Sequence, residues 1–135
     1  MSDKIYKIVG IFIIALGAVL SVPALSLAEN ISDISEKHVM TGVASWYGAA
    51  YRGRRTASGE RFNPRDFTAA HPYLPMGTLI EVSRPHGGRS VVVRINDRGP
   101  GSGRILDLSE AAARRLAMTG EGTAMVSVQV IGMAD

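Results

Sequence analysis

Apolar and polar residues alternate in short runs along most of this chain, and turns rich in glycine and proline separate the runs. The clearest run is Val91-Val92-Val93-Arg94-Ile95. Counting by twos, Val91, Val93 and Ile95 share one face, while Val92 and Arg94 share the other, the period of a β-strand. Its β-branched side chains have little rotamer freedom to lose on a pleated surface. The run ends in Asn96-Asp97-Arg98-Gly99-Pro100, whose Gly-Pro pair forces a turn. Asp97 therefore sits where a rigid strand gives way to a loop, a place from which a scaffold can aim a carboxylate. Asn96 and the neighbouring arginines are placed to hold that carboxylate or a ligand.

The same reading extends in both directions. Residues 39–48 form a first strand, with Gly42 and Gly48 permitting bends or close backbone approach. Residues 49–65 hold no sustained period and are loaded with Gly, Arg, Ser and Asn; so long an irregular segment is uncommon in a compact domain unless it is functional. A short apolar segment at 67–71 ends at Pro72, and Pro75-Met76-Gly77 makes a turn. Thr78–Ser83 and 90–96 read as strands joined by a hairpin loop at 85–88, and 104–108 as another short strand. Ser109 is an expected N-cap for a helix running through Met118, with Leu108, Ala112, Ala113 and Leu116 as its buried stripe and Gly120 and Gly122 ending it. Residues 124–131 alternate as a closing strand. Five or six strands, one short helix and no βαβ rhythm predict a mainly β domain, a small barrel or sandwich with a helix at one corner.

The first residues change the domain count. Lys4 and Lys7 precede an apolar run, and Ser26-Leu27-Ala28 precedes the polar Glu29-Asn30, the layout of a secretory signal peptide. We expect residues 1–28 to be a leader cut after Ala28, residues 29–38 a flexible spacer and 39–135 the folded domain. An uncleaved anchor is the competing reading, since no charge interrupts residues 8–28. The expected location is outside the cytoplasm, periplasmic or wall-associated, with no stable membrane insertion after cleavage.

Charge and cysteine content narrow the function. The chain carries 15 Lys and Arg against 12 Asp and Glu; losing Lys4, Lys7 and Asp3 with the leader lowers the formal charge from +3 to +2. That balance does not argue for nucleic acid. Lys37 would be the only lysine left, so the remaining basic groups are otherwise arginines, whose planar forks suit carboxylates and flat polar ligands. The absence of cysteine excludes a thiol nucleophile, a zinc-thiolate site and a lipidated cysteine. No cofactor or metal is implied.

The order of the polar motifs is more specific than any one of them. Ala44-Ser45-Trp46-Tyr47-Gly48, Thr56-Ala57-Ser58-Gly59-Glu60-Arg61-Phe62, Thr68-Ala69-Ala70-His71, Leu74-Pro75-Met76-Gly77-Thr78, Arg94-Ile95-Asn96-Asp97-Arg98-Gly99-Pro100 and Arg104-Ile105-Leu106-Asp107-Leu108-Ser109 together resemble the RlpA-like family of septal lytic transglycosylases. The resemblance covers about residues 42–130. It implies a six-stranded double-psi β-barrel with one short α-helix. It also implies cleavage of the MurNAc–GlcNAc bond of peptidoglycan glycan strands without water, leaving 1,6-anhydro-MurNAc ends and favouring peptide-free strands. Cell-division proteins and amidases are the partner classes it admits. Two departures stand out: no lipobox cysteine, so no lipid anchor is expected, and no carboxy-terminal SPOR domain before the sequence stops at Asp135.

Carried over by motif, the expected catalytic residues are Asp97, Glu60 and His71. One carboxyl group can protonate the leaving oxygen and then take the proton of the sugar's own C6 hydroxyl; Asp97 is the candidate. Glu60 would raise the pKa of Asp97 or stabilise oxocarbenium-like charge, and His71 would orient a carboxylate or a substrate hydroxyl. Trp46, Tyr47, Ser58, Asn96 and Arg98 are the expected substrate-binding residues. Blander readings stay open: an Asx-turn for Asp97, a solvated loop charge for Glu60, a structural histidine for His71 and a core or groove wall for Trp46. Asp107 is expected to make a structural hydrogen bond to Arg94 or Arg104. A non-catalytic, expansin-like wall-binding module is the main alternative function. An aspartic protease is disfavoured, because Arg98 stands where the D-[ST]-G motif has a hydroxyl.

Overall fold

A computed structural model describes residues 39–135 apart from Gly87 and Ser102; the expected leader and spacer lie outside the described residues. Among the described residues there are six strands: β1 (Val39–Tyr47), β2 (Thr68–Ala70), β3 (Thr78–Ser83), β4 (Ser90–Asp97), β5 (Leu106–Ser109) and β6 (Thr123–Met133). One helix, α1 (Glu110–Arg115), follows β5 directly. The strands close into a barrel in the order β1-β5-β2-β4-β3-β6. Four pairings are antiparallel, whereas β1–β5 and β2–β4 are parallel. Among the described residues this is the six-stranded barrel with one short helix that the resemblance implies; the residue pattern alone left five or six strands and a barrel or a sandwich open.

Inward-facing β-branched and leucine side chains fill the barrel. Ile80, Val82, Val93, Ile95, Leu106, Leu108, Val126 and Val128 are all essentially inaccessible, and α1 plugs one end with Ala112 and Ala113. Burying a Val, Leu or Ile side chain contributes roughly 1.5–3 kcal/mol, so this core holds the domain without any disulfide.

The alternation of β4 breaks once, and the break matters. Val91, Val93 and Ile95 face the core as predicted, but Asn96 is buried next to Ile95 instead of alternating outward. The cause is a register shift against β2: Ala69 pairs with Ile95, but Ala70 pairs with Asp97. A bulge of one residue turns every later side chain to the opposite face. Strict alternation would send Asp97 inward with Ile95; the bulge leaves it half-buried at the barrel surface.

Two element boundaries differ from expectation. β5 starts at Leu106 rather than Arg104, because the preceding residues belong to the turn. The helix stops at Arg115, not Met118. Ala117 adopts φ 55, and the Met118 amide bonds back to the Ala113 carbonyl at 3.0 Å. The chain thus leaves the helix through a left-handed residue that is not the glycine normally read as a stop signal.

Ser109 caps α1 and ties it to the loop before β2. Its hydroxyl donates to the Asp66 carbonyl at 2.6 Å and accepts from the amides of Ala112 at 3.3 Å and Thr68 at 3.4 Å. The residue is fully buried, so removing the hydroxyl strands partners that water cannot reach. Ser109→Ala should therefore lower stability by about 2 kcal/mol. The urea midpoint should fall with an unchanged m-value.

Candidate active site

The segment at 49–65 is irregular in outline but internally zipped. After a single 3-10 turn at Ala49–Tyr51, the Gly53 amide bonds to the Phe62 carbonyl at 2.9 Å and the Phe62 amide to the Arg54 carbonyl at 2.8 Å. Arg55 and Arg61 form a bridge between the two arms. Thr56 closes the tip: its amide and hydroxyl both donate to the Glu60 carbonyl, at 2.8 and 2.9 Å. Gly59, at φ 90, supplies a turn conformation that an L side chain resists. Phe62 is buried and packs on the Tyr47 ring at 4.6 Å between centroids.

This ribbon is clamped to the end of β4 at three points. Arg94 donates both guanidinium nitrogens to the Glu60 carboxylate, at 2.8 and 3.2 Å. The Asn96 carbonyl accepts from the Ser58 amide at 3.1 Å. Asp97 Oδ1 accepts from the Ala57 amide at 3.0 Å and from the Arg98 amide at 2.8 Å. Oδ2 of Asp97 makes no hydrogen bond among the described residues, so one oxygen is fixed and the other is available to a ligand.

His71 comes to the same place by the parallel β2–β4 pairing, its amide bonding to the Asp97 carbonyl at 3.1 Å. The imidazole is buried. Nδ1 accepts from the amides of Tyr73 at 3.2 Å and Leu74 at 3.0 Å, which assigns the proton of the neutral ring to Nε2. Burial first, and then the nearby Arg98 charge, hold its pKa below the ordinary histidine range. Among the described residues the ring bonds to neither Asp97 nor Glu60; it organises the turn beside them.

Glu60 is held ionised. Its hydrogen bonds to Arg94, with smaller help from Asn96 and Ser58, keep its carboxyl below the ordinary carboxylate range. Its charge is therefore matched by Arg94, a partner 34 residues away that sequence pattern links only to Asp107. Asp107 instead accepts from the Ser45 hydroxyl and from Arg104, the latter at 3.3 Å. Arg98, expected to touch substrate, spends Nη1 on the carbonyls of His71 at 3.2 Å and Leu74 at 2.7 Å. Ser58 is exposed, whereas Asn96 is buried with its Oδ1 unpartnered.

Tyr47 and Trp46 divide the groove between them. Trp46 leans on the core and, with Tyr47, Tyr51, Arg104 and Asp107, lines a cavity of about 430 Å³. The Tyr47 ring packs against Tyr51 and Phe62. Its hydroxyl is buried without a hydrogen-bond partner. Burial, and then the charges of Asp97, Asp107 and Glu60, raise its pKa far above the ordinary phenol range. It stays neutral, with three carboxylates close enough to oppose its ionisation. No motif read singly shows this; it follows from pairing β1 with β5 and folding the ribbon over both. Among the described residues, no group of three His, Asp or Glu side chains is placed to hold a metal.

Residues 39–128 match the lytic transglycolase family. The chain belongs to that family. Curated relatives agree: a protein named probable endolytic peptidoglycan transglycosylase RlpA from Synechocystis is 46% identical over 88% of this chain. The protein named endolytic peptidoglycan transglycosylase RlpA from Neisseria meningitidis serogroup A is 49% identical over 67% of it. The chain spans only 37% and 38% of those relatives' own lengths. Among solved structures, Streptomyces papain inhibitor superposes with TM-score 0.57 at 26% identity, covering 69% of this chain and 94% of that one. Clavibacter michiganensis expansin, solved with cellohexaose, gives 0.55 at 22%, covering 69% of this chain and 50% of that one, a likeness of fold alone. Lytic transglycolase members thus share this barrel with proteins of other names.

The buried hydroxyl and the buried imidazole each make a measurable difference. Tyr47→Phe removes a hydroxyl that has no protein partner, so stability should hold or rise by up to about 1 kcal/mol, while any reaction that uses the donor should slow. Thermal melts beside activity assays check both halves. For His71, the folded pKa lies below the unfolded value of 6.5, so the unfolded chain binds more protons between the two. Stability should therefore fall as pH drops through 6.5 towards the folded pKa. His71→Gln should flatten that part of the urea-midpoint profile.

Proposed function

We propose that this domain is an endolytic peptidoglycan lytic transglycosylase, cleaving MurNAc–GlcNAc bonds to leave 1,6-anhydro-MurNAc ends and favouring peptide-free glycan. The observation that carries the reading is Asp97: one carboxylate oxygen is anchored by two amides and the other is unbonded among the described residues, and its charge lies close enough to Tyr47, a wall of the aromatic groove, to help raise that phenol's pKa. The curated relatives bearing that activity in their names support it.

Protonated Asp97 gives its proton to the glycosidic oxygen as the C1–O bond breaks, and positive charge develops on the MurNAc ring. The C6 hydroxyl of that sugar attacks C1, and its proton passes to the Asp97 carboxylate, restoring the acid. Atoms balance without water. Because the nucleophile belongs to the substrate, the groove need only hold the ring so that C6–O approaches C1. Glu60, fixed as an anion by Arg94, fits charge stabilisation rather than proton exchange. His71 and Arg98 hold the 71–74 turn that flanks Asp97.

Such a substrate lies outside the cytoplasm, and residues 1–28 have the pattern of an export leader. A periplasmic protein whose amino terminus is Glu29 would fit; one beginning at Met1 would favour the anchor reading. Amidases that strip stem peptides are the natural suppliers of this substrate.

Asp97→Asn keeps the side chain's shape and its amide-accepting oxygen but cannot exchange the proton. It should lose activity by about 100-fold or more with an unchanged melting curve. Mass spectrometry of products from peptide-free glycan checks this. Anhydro ends from the wild type and none from the variant are expected. Sacculus binding by the wild type without any anhydro product would move the protein to the expansin-like binding class.

A further inference from the structure

The five arginines of the ribbon, Arg52, Arg54, Arg55, Arg61 and Arg65, are accompanied within it by a single acid, Glu60, which Arg94 already neutralises. Three of the five have local work. Arg55 and Arg61 donate to the carbonyls of Gly59 at 2.7 Å and Gly53 at 2.9 Å, and Arg54 lies over the Tyr51 ring at 5.3 Å. The side chains of Arg52 and Arg65 make no hydrogen bond or ion pair among the described residues. Both line a cavity of about 420 Å³ together with Arg114, Pro64, Ala111 and Glu110.

The floor of that cavity is fixed, because the Ala111 amide bonds to the Pro64 carbonyl at 2.9 Å. Glu110 pairs with Arg114 at 2.6 Å, so the cavity keeps two uncompensated guanidinium groups. Tyr51 lines the aromatic groove and Arg52, the next residue, lines the arginine cavity. The two cavities thus meet along the chain at the Tyr51–Arg52 peptide.

We infer that Arg52 and Arg65 form a carboxylate-reading subsite for acidic groups carried by the glycan, resting on the transglycosylase reading above. Guanidinium forks suit carboxylates. Peptidoglycan offers two sources: the lactyl carboxylate of a MurNAc without its peptide, and the carboxylates of an attached stem peptide. In the first, the charge lies a fixed, short distance from the sugar ring; in the second, that carboxylate is masked as an amide. A subsite one residue from the sugar groove fits the short reach, and it supplies a chemical reason for preferring stripped strands.

The test compares wild type with the double variant Arg52→Gln/Arg65→Gln on three substrates: peptide-free strands, the same strands with lactyl groups capped as methylamides, and intact strands. Exposed ion pairs are individually weak, so the two arginines together should change KM by about 5- to 10-fold, with kcat unchanged. Wild type should show that rise in KM on capping. The double variant should show it already on uncapped strands, with no further effect of capping. A penalty confined to intact strands would support the subsite with peptide carboxylates as its ligand. No penalty on either substrate, or a double variant that keeps the wild-type preference for uncapped strands, overturns the inference. Should wild type yield no anhydro product from any strand, the enzymatic reading fails separately. Co-sedimentation with the same three substrates then decides the subsite: an equal bound fraction for wild type and double variant overturns it.

Discussion

A one-residue bulge in β4 sets the geometry on which the site depends. Ile95 and Asn96 together oppose one step of β2, so Asp97 faces the surface and not the core. From there the end of the strand, Arg94 to Asp97, reaches outward and grips a ribbon that lies 34 to 40 residues earlier in the chain, through the Arg94–Glu60 fork, the Asn96 carbonyl and the Asp97 carboxylate. Ordering an irregular segment of this length costs conformational entropy. The clamp and the burial of Phe62 on Tyr47 offset that cost. The same contacts that fix the ribbon also fix one oxygen of Asp97, so stability and chemistry share their atoms here.

The carboxylates around the groove are consequently not equivalent. Glu60 is neutralised by Arg94, and Asp107 is occupied by Ser45 and Arg104. Asp97 alone of the three has no arginine within salt-bridge distance among the described residues. Its anchors are backbone amides, which orient it without adding a full charge. Tyr47 completes the asymmetry by presenting a neutral hydroxyl where another charge would be repelled.

Much of the barrel was legible because β-strands write their burial into a period of two. Val91, Val93 and Ile95, and the alternation from Ala124 onward, place the core without any tertiary knowledge. The failures have a common origin. Burial of Asn96 depends on a register shift against β2, and the early helix end depends on Ala117 entering the left-handed region; neither has a compositional mark. Asp97, Glu60 and His71 stood out in their motifs, and the fold brings all three to the end of β4. What the motifs could not reveal was partnership. Arg94 as the counter-charge of Glu60, Arg98 as a strap on the 71–74 turn, and Tyr47 as a buried donor all arise between segments distant in sequence.

On the proposed function, glycan lies along the aromatic groove with a glycosidic oxygen at the free side of residue 97. A crystal structure of Asp97→Asn soaked with a peptide-free glycan tetrasaccharide tests it most directly. A sugar ring beside Trp46 and Tyr51, with a glycosidic oxygen within hydrogen-bond distance of the substituted side chain at position 97, is the expected result. A tetrasaccharide bound elsewhere on the barrel, with the Trp46 groove vacant, would contradict it.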